Sequence, residues 1–198
     1  YGDRKGATLE VIADTDGDGA DDLVFSNNGN GNFFAVNGAG GFQRGYGFGG
    51  HDLLDAGDLD GDGSVDLLLQ DQAGGLRPGV TFAVDGGGGI LAGYGNRGAD
   101  EFVGLADMDG DGGEDVIFRN LDTGGLFAFN GDGGFQQNYG RRGDGLIAID
   151  DYNGDGSADI LTQVQPGSPF AGHVFNVTGE GAFLTSFGAL DRDDLLFV

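Results

Sequence analysis

Hydrophobic residues in this chain come in short runs set between stretches rich in Asp, Asn and Gly. Asp22-Leu23-Val24-Phe25, Asp66-Leu67-Leu68-Leu69 and Asp115-Val116-Ile117-Phe118 are too short for buried helices, and turn formers bound them, which predicts buried strands. A second set alternates in the strand sense: Phe34-Ala35-Val36, Phe82-Ala83-Val84, Phe127-Ala128-Phe129 and Phe175-Asn176-Val177. Behind three of these stand Asn37-Gly38, Asp85-Gly86 and Asn130-Gly131, strong hairpin signals because Asn, Asp and Gly tolerate positive φ. Thr178-Gly179 takes the same place in the fourth. A further apolar marker follows each turn, at Phe42, Ile90-Leu91, Phe135 and Phe183-Leu184. No stretch repeats with the helical period of 3.6 residues, so the pattern predicts an all-β chain.

The strands recur in register with one another. An Asp-rich segment begins at Asp14, Asp58, Asp107 and Asp151, at spacings of 44, 49 and 44 residues. About a dozen residues before each stands an aromatic-glycine pair (Tyr1-Gly2, Tyr46-Gly47, Tyr94-Gly95 and Tyr139-Gly140), and Phe187-Gly188 forms a fifth. Four short strands in about 45 residues are the size of one propeller blade. The expected fold is all-β, a β-propeller-like array of four four-stranded blades in a single repeat domain, 1–198. Its repeats run over about 1–45, 46–93, 94–138 and 139–186. A solenoid or a β-sandwich are the competing all-β architectures, but a sandwich does not require the same unit four times. Residues 187–198 align without gaps on residues 1–12. They are expected to form the first strand of a further repeat in a longer chain, or a strand exchanged with a neighbouring molecule in self-association.

Charge changes the picture. The chain has 45 Gly and 33 acidic residues against 9 Lys plus Arg, a formal net charge of −24. That balance is common in disordered chains, but 38% hydrophobic residues and 16 Phe, gathered into runs, supply a core. Nucleic acid and anionic membrane surfaces are disfavoured as partners, because nine scattered cations make no phosphate-binding patch. Cations are the expected counterpart. With no cysteine there is neither a disulfide framework nor a thiolate metal site. No apolar run approaches the roughly 20 residues of a membrane helix. No signal-peptide pattern is visible, as expected of a mature or excised chain and equally of a cytosolic one.

The four acidic segments share one pattern. Asp14, Asp16, Asp18, Gly19 and Asp22 occupy positions 1, 3, 5, 6 and 9 of the first. Asp58, Asp60, Asp62, Gly63 and Asp66 do so in the second, Asp107, Asp109, Asp111, Gly112 and Asp115 in the third, and Asp151, Asn153, Asp155, Gly156 and Asp159 in the fourth. Oxygens at positions 1, 3 and 5 of a tightly curled loop converge on one point, and the glycine at position 6 permits the curl. The position 7 residue, Ala20, Ser64, Gly113 or Ser157, is expected to add its backbone carbonyl. Hard oxygen donors in a flexible loop suit Ca²⁺, whereas Mg²⁺ favours stricter octahedra and Zn²⁺ favours His or Cys. Four Ca²⁺ ions are therefore expected. The opening matches an EF-hand, but position 12 is Phe25, Leu69, Phe118 or Thr162, each in a strand-like run and none a carboxylate. The position 9 Asp is left to close the loop.

These loops, the strands that follow them, and the stretch from Phe34 to Phe42 resemble the FG-GAP and VCBS-type repeats of integrin α-subunit propellers and many secreted bacterial proteins. The likeness spans nearly the whole chain. The aromatic-glycine pair matches the FG element in position, with Tyr replacing Phe in four of five cases. Ser26-Asn27-Asn28 and Gln70-Asp71-Gln72 stand where GAP would, so the looser VCBS form is the closer likeness. The resemblance implies a Ca²⁺-binding propeller outside the cell. Extracellular modules bind Ca²⁺ with dissociation constants on the order of 0.1–1 mM, which cytosolic calcium does not fill.

Other chemistry is sparse. His51 and His173 fall at unmatched places in different repeats, which argues against a catalytic triad. Nearly every clustered Asp is taken by a loop, which argues against a carboxylate pair for glycoside cleavage. Arg4, Arg97 and Arg142 follow the Tyr-Gly pairs and suit either recurring ligand sites or surface ion pairs with loop carboxylates. With no Trp, Tyr46, Tyr94 and Tyr139 are the candidate sugar-stacking rings, with burial in the core as the alternative. Asn176-Val177-Thr178 is a formal glycosylation sequon. The expected function is a non-enzymatic, extracellular Ca²⁺-binding domain for adhesion, recognition or assembly, with a protein or glycan ligand at a cell surface or matrix. An accessory domain of a secreted polysaccharide-degrading enzyme and a structural subunit of a surface fibre are the alternatives.

Overall fold

The computed structural model describes residues 6–139 and 143–189, and all their regular elements are β-strands. The first sheet holds β1 (Ala7–Ala13), β2 (Asp22–Asn27), β3 (Phe33–Val36) and β4 (Phe42–Gly47). The second holds β5 (His51–Gly57), β6 (Asp66–Asp71), β7 (Val80–Val84) and β8 (Ile90–Asn96). The third holds β9 (Asp100–Ala106), β10 (Asp115–Asn120), β11 (Leu126–Phe129) and β12 (Phe135–Tyr139). The fourth holds β13 (Gly145–Asp150), β14 (Asp159–Gln163), β15 (His173–Val177) and β16 (Phe183–Ala189). Each is a four-stranded antiparallel meander with its strands in chain order.

The sheets share devices as well as topology. Every first-to-second strand ladder slips at the same place, at Leu9/Val11, Leu53/Asp55, Phe102/Gly104 and Leu146/Ala148. A bulge of this kind bends and twists the strand that carries it. The central strands carry the core, with Leu67, Leu68, Leu69, Val116, Ile117 and Phe118 fully buried. Large apolar residues stay exposed at the first position of each fourth strand, Phe42, Ile90, Phe135 and Phe183.

The chain divides into two compact units. One holds the first two sheets and the turn Gly131–Gly134, and the other holds the remaining two sheets. In the first, Val24, Phe33 and Tyr46 pack with Leu67, Leu69 and Phe82. In the second, Met108, Ile117, Leu126 and Tyr139 pack with Ile160 and Val177.

The phase of the repeat differs from the expected one. Tyr46-Gly47 and Tyr94-Gly95 lie in fourth strands and Tyr139 ends one, so the aromatic-glycine pairs close a sheet instead of opening it. The reason is burial. Tyr46, Tyr94 and Tyr139 are 6%, 3% and 1% exposed, and the Tyr94 hydroxyl donates to the Gly131 carbonyl at 2.8 Å. Phe187-Gly188 likewise belongs to β16. The strand expected beyond it falls on residues 190–198, which lie outside the described residues.

Candidate metal centre

Each acidic loop joins the first and second strands of its sheet, and its curl is built by its own carboxylates. At position 1, Asp14 Oδ1 accepts from the Gly17 N–H at 2.8 Å while Oδ2 accepts from the Gly19 N–H at 2.7 Å. Asp107 and Asp151 repeat the pattern with Gly110 and Gly112, and with Gly154 and Gly156. At position 3, one oxygen of Asp16, Asp60, Asp109 and Asn153 accepts the position 5 N–H. At position 5, one oxygen of Asp18, Asp62, Asp111 and Asp155 accepts the N–H of Ala20, Ser64, Gly113 and Ser157. Backbone donors thus orient the carboxylates and leave a second oxygen on each position 3 and 5 Asp. The second oxygen of Asp16 accepts from the Gln43 amide, and that of Asp155 from the Asn153 amide.

Two loop features were not singled out from sequence. Glycine also stands at position 4, and Gly17, Gly61, Gly110 and Gly154 all take φ between 71° and 79°, a conformation costly for a residue with a Cβ. The position 2 side chains of Thr15, Leu59 and Met108 are buried, anchoring each loop in the core, whereas Tyr152 is exposed. Alternating Gly at positions 4 and 6 was the available signal.

The position 9 carboxylates act as locks. Asp22, Asp66, Asp115 and Asp159 are each at most 2% exposed, and Oδ2 of each accepts the N–H of its own loop's position 2. Asp66 spends its other oxygen on the Gly86 N–H at 2.9 Å. Burial pushes the carboxyls of Asp66 and Asp115 up to about 7 and raises that of Asp159. In contrast, the Gly19 and Gly156 N–H groups hold Asp14 and Asp151 below the ordinary carboxylate range.

Convergence is the decisive geometry. Oxygens of Asp14, Asp16 and Asp18 lie within 4.8 Å of one another, as do those of Asp58, Asp60 and Asp62, and those of Asp107, Asp109 and Asp115. In the third loop the buried Asp115 joins the group in place of Asp111. Asp58 Oδ1 is buried with no hydrogen-bond partner among the described residues, beside two further carboxylates. Burial raises the Asp60 carboxyl, and Asp62, Asp58 and Asp85 raise it further. A buried anionic oxygen without a donor, in an all-oxygen cluster, fits a hard cation. The fourth loop differs. Asn153 Nδ2 donates to Asp155 at 2.8 Å and to Asp159 at 3.4 Å, so a donor stands where the other loops offer an oxygen.

Neighbouring loops and turns interlock. The Val65 N–H donates to the Asp14 carbonyl at 2.8 Å, and the Ala158 N–H to the Asp107 carbonyl at 2.7 Å. Gly86, Gly131 and Gly179, each two residues past a third strand, pass so close to the Thr15, Leu59 and Met108 carbonyls that a Cβ there would overlap the oxygen.

The remaining candidates fare unevenly. The three tyrosines are core and do not serve as stacking platforms. Asn176 is 1% exposed, so the sequon is inaccessible in the fold. Arg97 follows β8, and its N–H donates to the Gly79 carbonyl; Arg4 and Arg142 lie outside the described residues. Among the described residues no helix is long and apolar enough to cross a membrane.

No protein-family model matches the chain. No curated protein matches it in sequence. Solved structures share its fold. An Agrocybe aegerita lectin that recognises non-reducing terminal N-acetylglucosamine superposes with a TM-score of 0.53 and 22% identity, over 91% of this chain and 52% of the lectin. A Bacteroides caccae protein of unknown function gives 0.51 and 14%, over 100% of this chain and 66% of its own. The Vibrio cholerae biofilm matrix protein Bap1 gives 0.45 and 17%, over 90% of this chain and 28% of its own. The chain thus spans about half the length of the lectin and little more than a quarter of the matrix protein.

Proposed function

We propose that the chain is a Ca²⁺-stabilised, non-enzymatic recognition domain that works outside the cell, its four sheets acting as propeller blades of the FG-GAP/VCBS type. The observation that carries this reading is the unpartnered Asp58 Oδ1, buried in a cluster whose other oxygens come from Asp60 and Asp62. Each loop takes one ion through positions 1, 3 and 5, with the position 7 carbonyl and the position 9 carboxylate completing the set. The ion neutralises carboxylates that otherwise repel within a few ångströms and ties the end of one strand to the start of the next. Calcium at extracellular concentrations is the cation the loops are suited to hold.

The ligand read by the folded domain is a glycan or a protein at a cell surface or matrix. The lectin of like fold makes a terminal amino sugar the first glycan to try. Calorimetric titration of the metal-free chain with Ca²⁺ should count four sites, the fourth weakest because Asn153 brings an amide donor into its loop. Asp60→Ala should remove one site and leave three. A count unchanged by that substitution, or no saturable heat at all, would sink the assignment.

A further inference from the structure

The two histidines, unmatched in sequence, have matching surroundings. His51 opens β5 and meets the Phe82 ring edge-on at 5.1 Å, with Phe48 at 6.0 Å. His173 opens β15 and lies between Phe170 at 5.8 Å and Phe175 at 6.1 Å. Phe82 and Phe175 are the same position of the repeat, paired with Leu69 and Thr162 in register. Both trios occur in sheets whose second and third strands are joined by a long connection, residues 72–79 and 164–172, against 28–32 and 121–125 in the other two. Departures from the repeat in a repetitive chain are where binding loops are inserted.

In the second sheet the trio borders a cleft of about 410 Å³. Its other walls include Val80, Ile90 and, from the long connection, Arg77; no acidic-loop carboxylate lines it. That volume falls within the range of small-ligand sites, which are mostly apolar with few polar groups. Phe48 sits at φ 58°, the left-handed region, which a bulky residue occupies only under strain. Asn96, two residues after its own tyrosine as Phe48 is after Tyr46, avoids positive φ. What the strained conformation provides is a ring packed on Phe82 at 5.3 Å. The Arg77 side chain is exposed and has no ion-pair or hydrogen-bond partner among the described residues.

We propose that this cleft binds a small monocarboxylate with an aromatic or branched aliphatic body. The ring cluster and Ile90 take the body, and Arg77 takes the carboxylate in a charge-assisted contact. A single guanidinium on a chain of net charge −24 selects against multiply charged anions such as phosphate esters. The inference rests on no part of the calcium reading.

The test is NMR of the full chain in Ca²⁺-containing buffer, titrated with 3-phenylpropionate and, separately, with the uncharged 3-phenylpropanamide. The acid should give saturable shifts at Phe48, His51 and Phe82. The amide should bind roughly fivefold more weakly, as should the acid to Arg77→Gln, the loss of about one net hydrogen bond. Ile90→Ser, at a position 68% exposed, should also weaken binding without altering the rest of the spectrum. No saturable shift at millimolar acid, shifts confined to residues outside the cleft, or equal binding of acid and amide would overturn the proposal.

Discussion

At the scale of single residues, the loops hold two kinds of carboxylate with opposite demands. Asp14 and Asp151 accept several backbone N–H groups and are stabilised as anions. Asp66 and Asp115 are buried, and desolvation lifts them to about 7, far above the 3.8 of an unperturbed carboxyl. In the metal-free chain the folded state therefore holds protons that the unfolded state has released, so it gains stability as pH falls from above 7 toward 4. Metal-free protein should melt higher at about pH 5 than at about pH 8, and saturating Ca²⁺, which competes with those protons, should flatten or reverse the trend. A metal-free chain that melts higher at the alkaline end would show that these carboxyls are not raised. The convergence of carboxylates in the first three loops was legible from spacing alone. The structural roles of Thr15, Leu59 and Met108 were not, because burial of a single variable position leaves no periodic mark.

At the scale of elements, the second strands form where short apolar runs stand between turn formers, and the third-strand triplets and the turns behind them lie where the alternating pattern placed them. The Tyr-Gly pairs were harder to assign. A tyrosine before a glycine reads equally as the start of one strand or the end of another, and only folding decides, by burying the ring and, for Tyr46 and Tyr94, by bonding its hydroxyl to a turn carbonyl. The bulge in each first strand was also invisible: the extra residue is aliphatic in three sheets (Leu54, Val103 and Ile147) and Glu10 in the first, and nothing in an apolar run marks which residue is left unpaired. The interlock of turn and loop yields a sharp expectation for two glycines. Gly179→Ala puts a methyl group into the Met108 carbonyl and should destabilise the chain by about 2–4 kcal/mol in urea unfolding, as overpacking of backbone does. Gly63→Ala meets nothing within 4 Å and carries only the strain of φ 90°, about 1 kcal/mol. Equal losses for the two would mean that the turn does not bear on the loop.

At the scale of the whole molecule, the account makes the ions part of the fold. Four sheets with modest apolar cores are joined within each sheet by anionic loops, and the chain carries 24 uncompensated negative charges. Cation binding to the folded state alone adds about 1.4 kcal/mol per site at tenfold excess over the dissociation constant, ~6 kcal/mol for four sites. The number of sheets and the acidic loop in each were readable in the sequence, because the same pattern recurs every 44 to 49 residues. The cleft beside Phe48 and Arg77 was not, because it is assembled from residues that break the period and meet only on folding. The most direct measurement is the melting temperature of the full chain in millimolar Ca²⁺ against the same protein in excess chelator, at neutral pH and matched ionic strength. The account predicts a rise on the order of 10 °C with Ca²⁺. Equal melting temperatures, or an equal rise in a monovalent salt that only screens charge, would contradict it.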